Sequence, residues 1–106
     1  MKEYRGHRDR DGTAIVEVVE NGNARALSLR LDLFNHSPTG FEWGYGGSGP
    51  AQLALAILAD LTGDGALAVR LHQKFKWRQI ARLPRAFWSI SEREVRDYVR
   101  DTEKPA

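Results

Sequence analysis

The chain changes its hydrophobic rhythm near residue 35. Before that point apolar and polar residues tend to alternate. Thr13 to Val19 reads Thr-Ala-Ile-Val-Glu-Val-Val, β-branched and partly alternating, which predicts a strand. Ala26 to Leu33 sets Leu27, Leu29, Leu31 and Leu33 against Ser28, Arg30 and Asp32, so a strand with one dry and one wet face is expected there. Asn21-Gly22 tolerates the positive φ angles of a tight hairpin turn between the two. Tyr4 to His7 is expected to supply another strand, with Asp11-Gly12 as its turn. The N-terminal third therefore reads as an antiparallel meander.

From Pro50 onward the pattern becomes helical. Ala51 to Leu61 is apolar almost all round, as a centrally buried helix is, and Pro50 suits its first position. Thr62-Gly63-Asp64-Gly65 ends that helix and offers Asp64 as a cap for a second, Ala66 to Leu83, which Pro84 stops. Leu67, Leu71 and Phe75 fall four apart on one stripe of it. Phe75 and Trp77 diverge by about 200° on a helix, so one of them is expected in the core. Ser91-Glu92-Arg93-Glu94 has the form of a capping box and predicts a short last helix through Arg100. Strands first and helices after give an α+β fold: an N-terminal antiparallel meander packed on a central buried helix and two further helices, in one domain.

Between the two regimes, Asn35 to Pro50 breaks every period with glycines and aromatics: Asn-His-Ser-Pro-Thr-Gly-Phe-Glu-Trp-Gly-Tyr-Gly-Gly-Ser-Gly-Pro. Ordering glycine costs more backbone entropy than ordering any other residue, whereas the aromatics have surface to bury. An ordered loop is expected. It leads into a helix whose first amides lack partners and carry the positive end of the macrodipole. Gly46, Gly47, Ser48 and Gly49 could then present amides to phosphate or carboxylate, with Trp43 or Tyr45 to stack on a base and His36 nearby. Gly44 to Gly49 satisfies G-x-G-x-x-G formally, yet no buried strand precedes it, so a dinucleotide fold is not expected. No lysine precedes the helix, which removes the phosphate loop of nucleotide triphosphatases. A purely structural turn, with its aromatics in the core, explains the same residues.

Charge adds a second candidate. The net charge is only +2, but Ala66 to Trp88 holds six basic residues and no acidic one. Lys74, Lys76, Arg78 and Arg82 could face a nucleic acid, or simply coat a solvated helix. Catalysis and metals find less support. The chain has no cysteine. His36 and Ser37 are neighbours whose side chains point to opposite faces of an extended chain, and a hydrogen-bonded loop anchor is the expected role of His36. His7 and His72 stand alone at no metal-ligand spacing. No catalytic residue, metal or cofactor is therefore expected. The opening Met-Lys-Glu-Tyr-Arg has no apolar core of a secretory signal, and the longest apolar run, Leu53 to Ala59, is far short of a membrane span, so a cytoplasmic location without membrane contact is expected.

The run from Asn35 to Leu58, with Tyr4-Arg5-Gly6, Phe75-Lys76, Ile80-Ala81 and Leu83-Pro84, resembles a family of small uncharacterised bacterial proteins also carried by phages and mobile elements. The resemblance implies context rather than activity: such proteins often act on host defence, by blocking an effector or trapping a nucleotide signal. Two function classes follow. One is a small binding protein for a nucleotide or other phosphorylated ligand at loop 35–50, acting in counter-defence. The other is an interaction protein docking through its basic helix 66–85 on nucleic acid or on a nucleic-acid-bound host effector protein. No feature of the sequence sets the oligomeric state.

Overall fold

The structure, a computed structural model, describes residues 1–103. Strands β1 (Lys2–Arg8), β2 (Ala14–Glu20), β3 (Asn23–Ala26) and β4 (Trp88–Ser91) form one antiparallel sheet in the order β3-β2-β1-β4. Helices α1 (Ser48–Thr62), α2 (Gly65–Arg78) and α3 (Glu92–Glu103) complete the α+β fold, with a 3₁₀ turn at Ile80–Arg82. The turns form where their chemistry asks for them. Asp9 accepts hydrogen bonds from the amides of Asp11 and Thr13, both at 2.9 Å, and Asn21 and Gly22 take φ of 53° and 80° in the β2–β3 hairpin.

The alternating leucines mislead. β3 ends at Ala26, and the expected strand Ala26 to Leu33 leaves the sheet almost at once. Leu27 keeps a bond to Val16, but Arg30 turns at φ 53° and the Leu29 carbonyl is taken by Gln52 of α1. Leu27 is buried, Leu31 is exposed, and Leu33 packs where a Cβ on Gly65 would sit. The period of two there does not mark one sheet face: only Leu33 meets a helix end, at Gly65.

The sheet also gains a strand from beyond the helices, since β4 pairs with β1 and sets Trp88 opposite Gly6. A Cβ on Gly6 would lie 2.3 Å from the Trp88 ring, so the indole occupies the space a side chain would need. Tyr4, Val16, Val18, Trp88 and Ile90 give the sheet its buried side, and Leu53 to Leu58 are buried all round α1, as a central helix requires. α1 starts at Ser48, so Pro50 is its third residue rather than its first. Any of the first positions suits proline, because none of their amides has an intrahelical partner. Asp64 caps α2 by accepting from the Leu67 amide at 3.0 Å. α2 stops at Arg78, earlier than Leu83, where the chain re-aims to bury Ile80. Ser91 and Glu94 close the capping box of α3 in both directions, at 3.1 and 3.2 Å.

Asp60 ties α1 to the sheet. It accepts from Tyr4 Oη at 2.8 Å, from Lys2 Nζ at 3.2 Å and from Arg25 at 2.8 Å. Burial alone would raise its pKa; the three donors, Arg25 foremost, hold it below the usual carboxylate value.

Candidate functional site

Gln52, fully buried on α1, positions the start of the loop. Its Oε1 accepts from the amides of His36 (2.8 Å) and Ser37 (3.0 Å), and its Nε2 donates to the carbonyls of Leu29 (2.6 Å) and Phe34 (3.0 Å). All its hydrogen-bonding capacity is spent on the backbone entering the loop. Trp43 anchors the other half. It is 2% exposed, donates from Nε1 to the Arg85 carbonyl at 3.0 Å, meets Trp88 edge-on, and carries the Arg8 guanidinium 4.5 Å above its ring. Arg8 in turn chelates Glu42 and holds that carboxyl below its ordinary pKa. Trp43 is thus core, and no face of it is left to stack on a base.

The glycines serve the protein's own side chains. A Cβ on Gly46 would lie 2.1 Å from the Trp77 ring, on Gly47 2.5 Å from the Tyr45 ring, and on Gly49 2.7 Å from Glu42. In the free protein these positions have to stay small because two aromatic rings and a carboxylate stem lie against them. Gly47 is the N-cap of α1, and beyond it only Ser48 and Gly49 bring amides free of intrahelical partners by position, since Pro50 has no N–H and Ala51 bonds to Gly47. Tyr45, 53% exposed, keeps an accessible ring.

On the α2 side the structure assembles a constellation that spacing alone does not show. The buried arc of α2 holds Leu71 and Phe75 in one column and Ala68, His72 and Lys76 in the next, each four residues apart. The second column faces the loop. His72 Nε2 lies 2.9 Å from His36 Nε2, and His36 stacks on Phe34 with centroids 4.2 Å apart. His72 Nδ1 is 2.7 Å from the Val69 carbonyl and 3.2 Å from that of Ala68. Burial first, then the His72 ring and the Lys76 ammonium, press the His36 pKa below the usual imidazole value. His36 is a loop anchor, as expected, and His72 is its partner instead of standing alone.

Lys76 is only 8% exposed and sits with Nζ 4.6 Å from the Trp77 ring centroid. Among the described residues it has neither an ion pair nor a hydrogen bond. It therefore does not share a surface with Lys74, Arg78 and Arg82, which are exposed on the outer side of α2 and the 3₁₀ turn. Those three are likewise unpaired among the described residues, whereas Arg70 is matched with Glu103. Phe75 is the core member of the Phe75–Trp77 pair; Trp77 is 59% exposed beside Lys74 and Arg78.

A cleft of ≈ 310 Å³ lies elsewhere on the loop, lined by Thr13, Ser37, Thr39 and Glu42. Its one charged group, Glu42, is spent on Arg8. Among the described residues no three His, Cys, Asp or Glu side chains converge as metal ligands would, and no helix is long and apolar enough to cross a membrane.

A four-stranded α+β domain that sets two paired imidazoles and a lysine of buried stem against a glycine and aromatic loop is the class that fold and site define. Residues 4–101 match the family of unknown function DUF6166, and the chain belongs to that family. No curated protein and no solved structure matches it.

Proposed function

We propose that the protein binds a nucleotide or another phosphorylated small molecule where loop 35–50 meets α2, without turning it over. The observation that carries this reading is Lys76: its stem is buried while its ammonium reaches the surface, with no anionic partner among the described residues. The stem carries the charge out to solvent, where a cation–π contact with Trp77 contributes about 0.5–1 kcal/mol. Neither supplies a counter-charge; a bound phosphate does. His36 stands beside the ammonium, and the accessible Tyr45 ring offers stacking worth about 1–3 kcal/mol per base. Holding a ligand without chemistry suits sequestration, so trapping a nucleotide signal of host defence is the setting we propose.

Calorimetric titration with ATP and with inorganic pyrophosphate tests the reading. Saturable one-to-one binding is expected, weakened about tenfold or more in Lys76→Met, because a charge-assisted hydrogen bond contributes roughly 1.5–3 kcal/mol. The variant should stay folded, since methionine keeps the apolar stem. Absence of binding, or equal binding by Lys76→Met, overturns it.

A second reading rests on a separate observation: Trp77 is exposed on α2 in a segment that also carries the exposed, unpaired cations Lys74, Arg78 and Arg82. Stacking rings interleaved with cations are how single-stranded nucleic acids are held without sequence preference. Fluorescence anisotropy with a labelled single strand should then show affinity falling steeply with salt. Neutralising the three cations should flatten the log–log slope by roughly two to three units. An unchanged slope returns them to a solvated face.

A further inference from the structure

We infer that His36 and His72 act as one proton-sharing unit, which carries at most a single positive charge and presents it to the ligand's anionic group through His36 Nδ1. The inference rests on the phosphorylated-ligand reading and specifies how that site recognises its ligand.

The argument begins at the buried end. His72 Nδ1 is within 2.7 Å of the Val69 carbonyl, which can only accept, so Nδ1 bears the proton. A neutral His72 then has its lone pair on Nε2, directed at His36 Nε2 at 2.9 Å. His36 Nε2 must therefore be the donor, and in neutral His36 the remaining lone pair is on Nδ1. Each tautomer follows from the one before it, and the chain ends on an atom with no partner among the hydrogen bonds of the described residues.

The charge count follows. One added proton goes to His36 Nδ1 and leaves the shared bond intact, with His36 an imidazolium donating to His72. A second proton has only His72 Nε2 to occupy, and two N–H groups cannot face each other at 2.9 Å. The surroundings oppose even the first proton in the free protein. From α2 the pair is faced by the Lys76 ammonium, and from α1 by the uncharged Gln52. No carboxylate among the described residues pairs with His36, His72 or Lys76. The free site thus rests with a neutral pair beside one cation. An anion arriving there reverses the electrostatics and draws a proton onto His36 Nδ1, so binding takes up about one proton and a dianionic phosphate is favoured over a neutral ligand of the same shape.

Long-range ¹H–¹⁵N spectra of the imidazoles, recorded on the full chain at pH 7.5 without and with pyrophosphate, test this directly. In the free protein His72 should show the Nδ1–H tautomer and His36 the Nε2–H tautomer. With pyrophosphate, His36 should become an imidazolium while His72 stays neutral. The ratio of wild-type to His36→Gln affinity should fall about tenfold per pH unit above neutrality, a ratio in which the ligand's own ionisation cancels. Pyrophosphate bound with both rings neutral overturns the inference and leaves the phosphorylated-ligand reading standing. No pyrophosphate binding overturns that reading and, with it, the recognition role. Reversed tautomers in the free protein, or both rings protonating together on acidification with the fold intact, overturn the shared proton whatever binds.

Discussion

At the residue scale, the meaning of a glycine depends on how firmly its neighbour is held. Gly6 and Gly47 both lack room for a methyl group, the first against Trp88 and the second against Tyr45. Trp88 is buried, pinned on β4 and packed edge-on against Trp43; Tyr45 is half out in solvent and can swing. Gly6→Ala is therefore expected to destabilise by about 1–3 kcal/mol, the usual toll of overpacking. Gly47→Ala should cost under about 1 kcal/mol, its φ of −113° being open to any residue. Its effect should fall on pyrophosphate binding, through displaced Tyr45. Thermal melts and calorimetry on the pair decide: equal destabilisation would mean that the loop is as rigid as the core. That the loop is ordered and interrupts both periods was legible from Asn35 to Pro50. Which aromatic is buried was not, because Trp43 and Tyr45 differ only in which reaches Arg85, Arg8 and Trp88, all distant in sequence.

At the scale of elements, local signals told the truth wherever local chemistry decides. Asn21-Gly22, the Asp64 cap and the Ser91–Glu94 box all sit where their side chains satisfy a turn or helix end. Errors arose where tertiary contacts decide. The leucines of 27–33 alternate, yet Gln52 captures the Leu29 carbonyl and turns the chain away from the sheet. β4 hides in the four residues Trp-Ser-Ile-Ser, which alternate but are too short to stand out between Pro84 and the α3 cap. Ser91 does double duty there, ending β4 and capping α3. Ser91→Ala is accordingly expected to cost about 0.5–2 kcal/mol, the range for losing an N-cap, and Ser91→Asp to recover most of it. Denaturant melts check this; a fully neutral Ser91→Ala would show that α3 is held by packing alone.

At the scale of the whole molecule, the site joins what the sequence keeps apart. His36 was recognisable as an anchor, but its partner is 36 positions away, and Lys76 read as one more member of a basic run. Only the α1–α2 hairpin, which sets the column Ala68, His72 and Lys76 against the loop, makes them one site. The same arrangement predicts how the fold responds to acid in the absence of a phosphate ligand. His36 is held below the ordinary imidazole value of 6.5, so the unfolded chain takes up this proton at a pH where the folded chain still refuses it. Stability should then be full above about pH 6.5 and decline as the pH falls towards the folded value, by at most about 1.4 kcal/mol per pH unit for one proton. Asp60 adds a lower limb. Its folded pKa lies below 3.8, so the contribution of its bonds to Lys2, Tyr4 and Arg25 is present above that value and lost as pH falls through the folded one. Each limb has its own variant. His36→Gln keeps a donor for His72 but does not titrate, so it should flatten the upper limb alone. Asp60→Asn should shrink the lower limb, which Glu42 shares, without touching the upper one, at a cost near neutrality of about 1–3 kcal/mol from the weakened donors. Urea midpoints from pH 8 to pH 3 in a buffer free of phosphate would separate the two limbs. An upper limb that survives in His36→Gln would mean that some other group, not the imidazole pair, governs stability near neutrality.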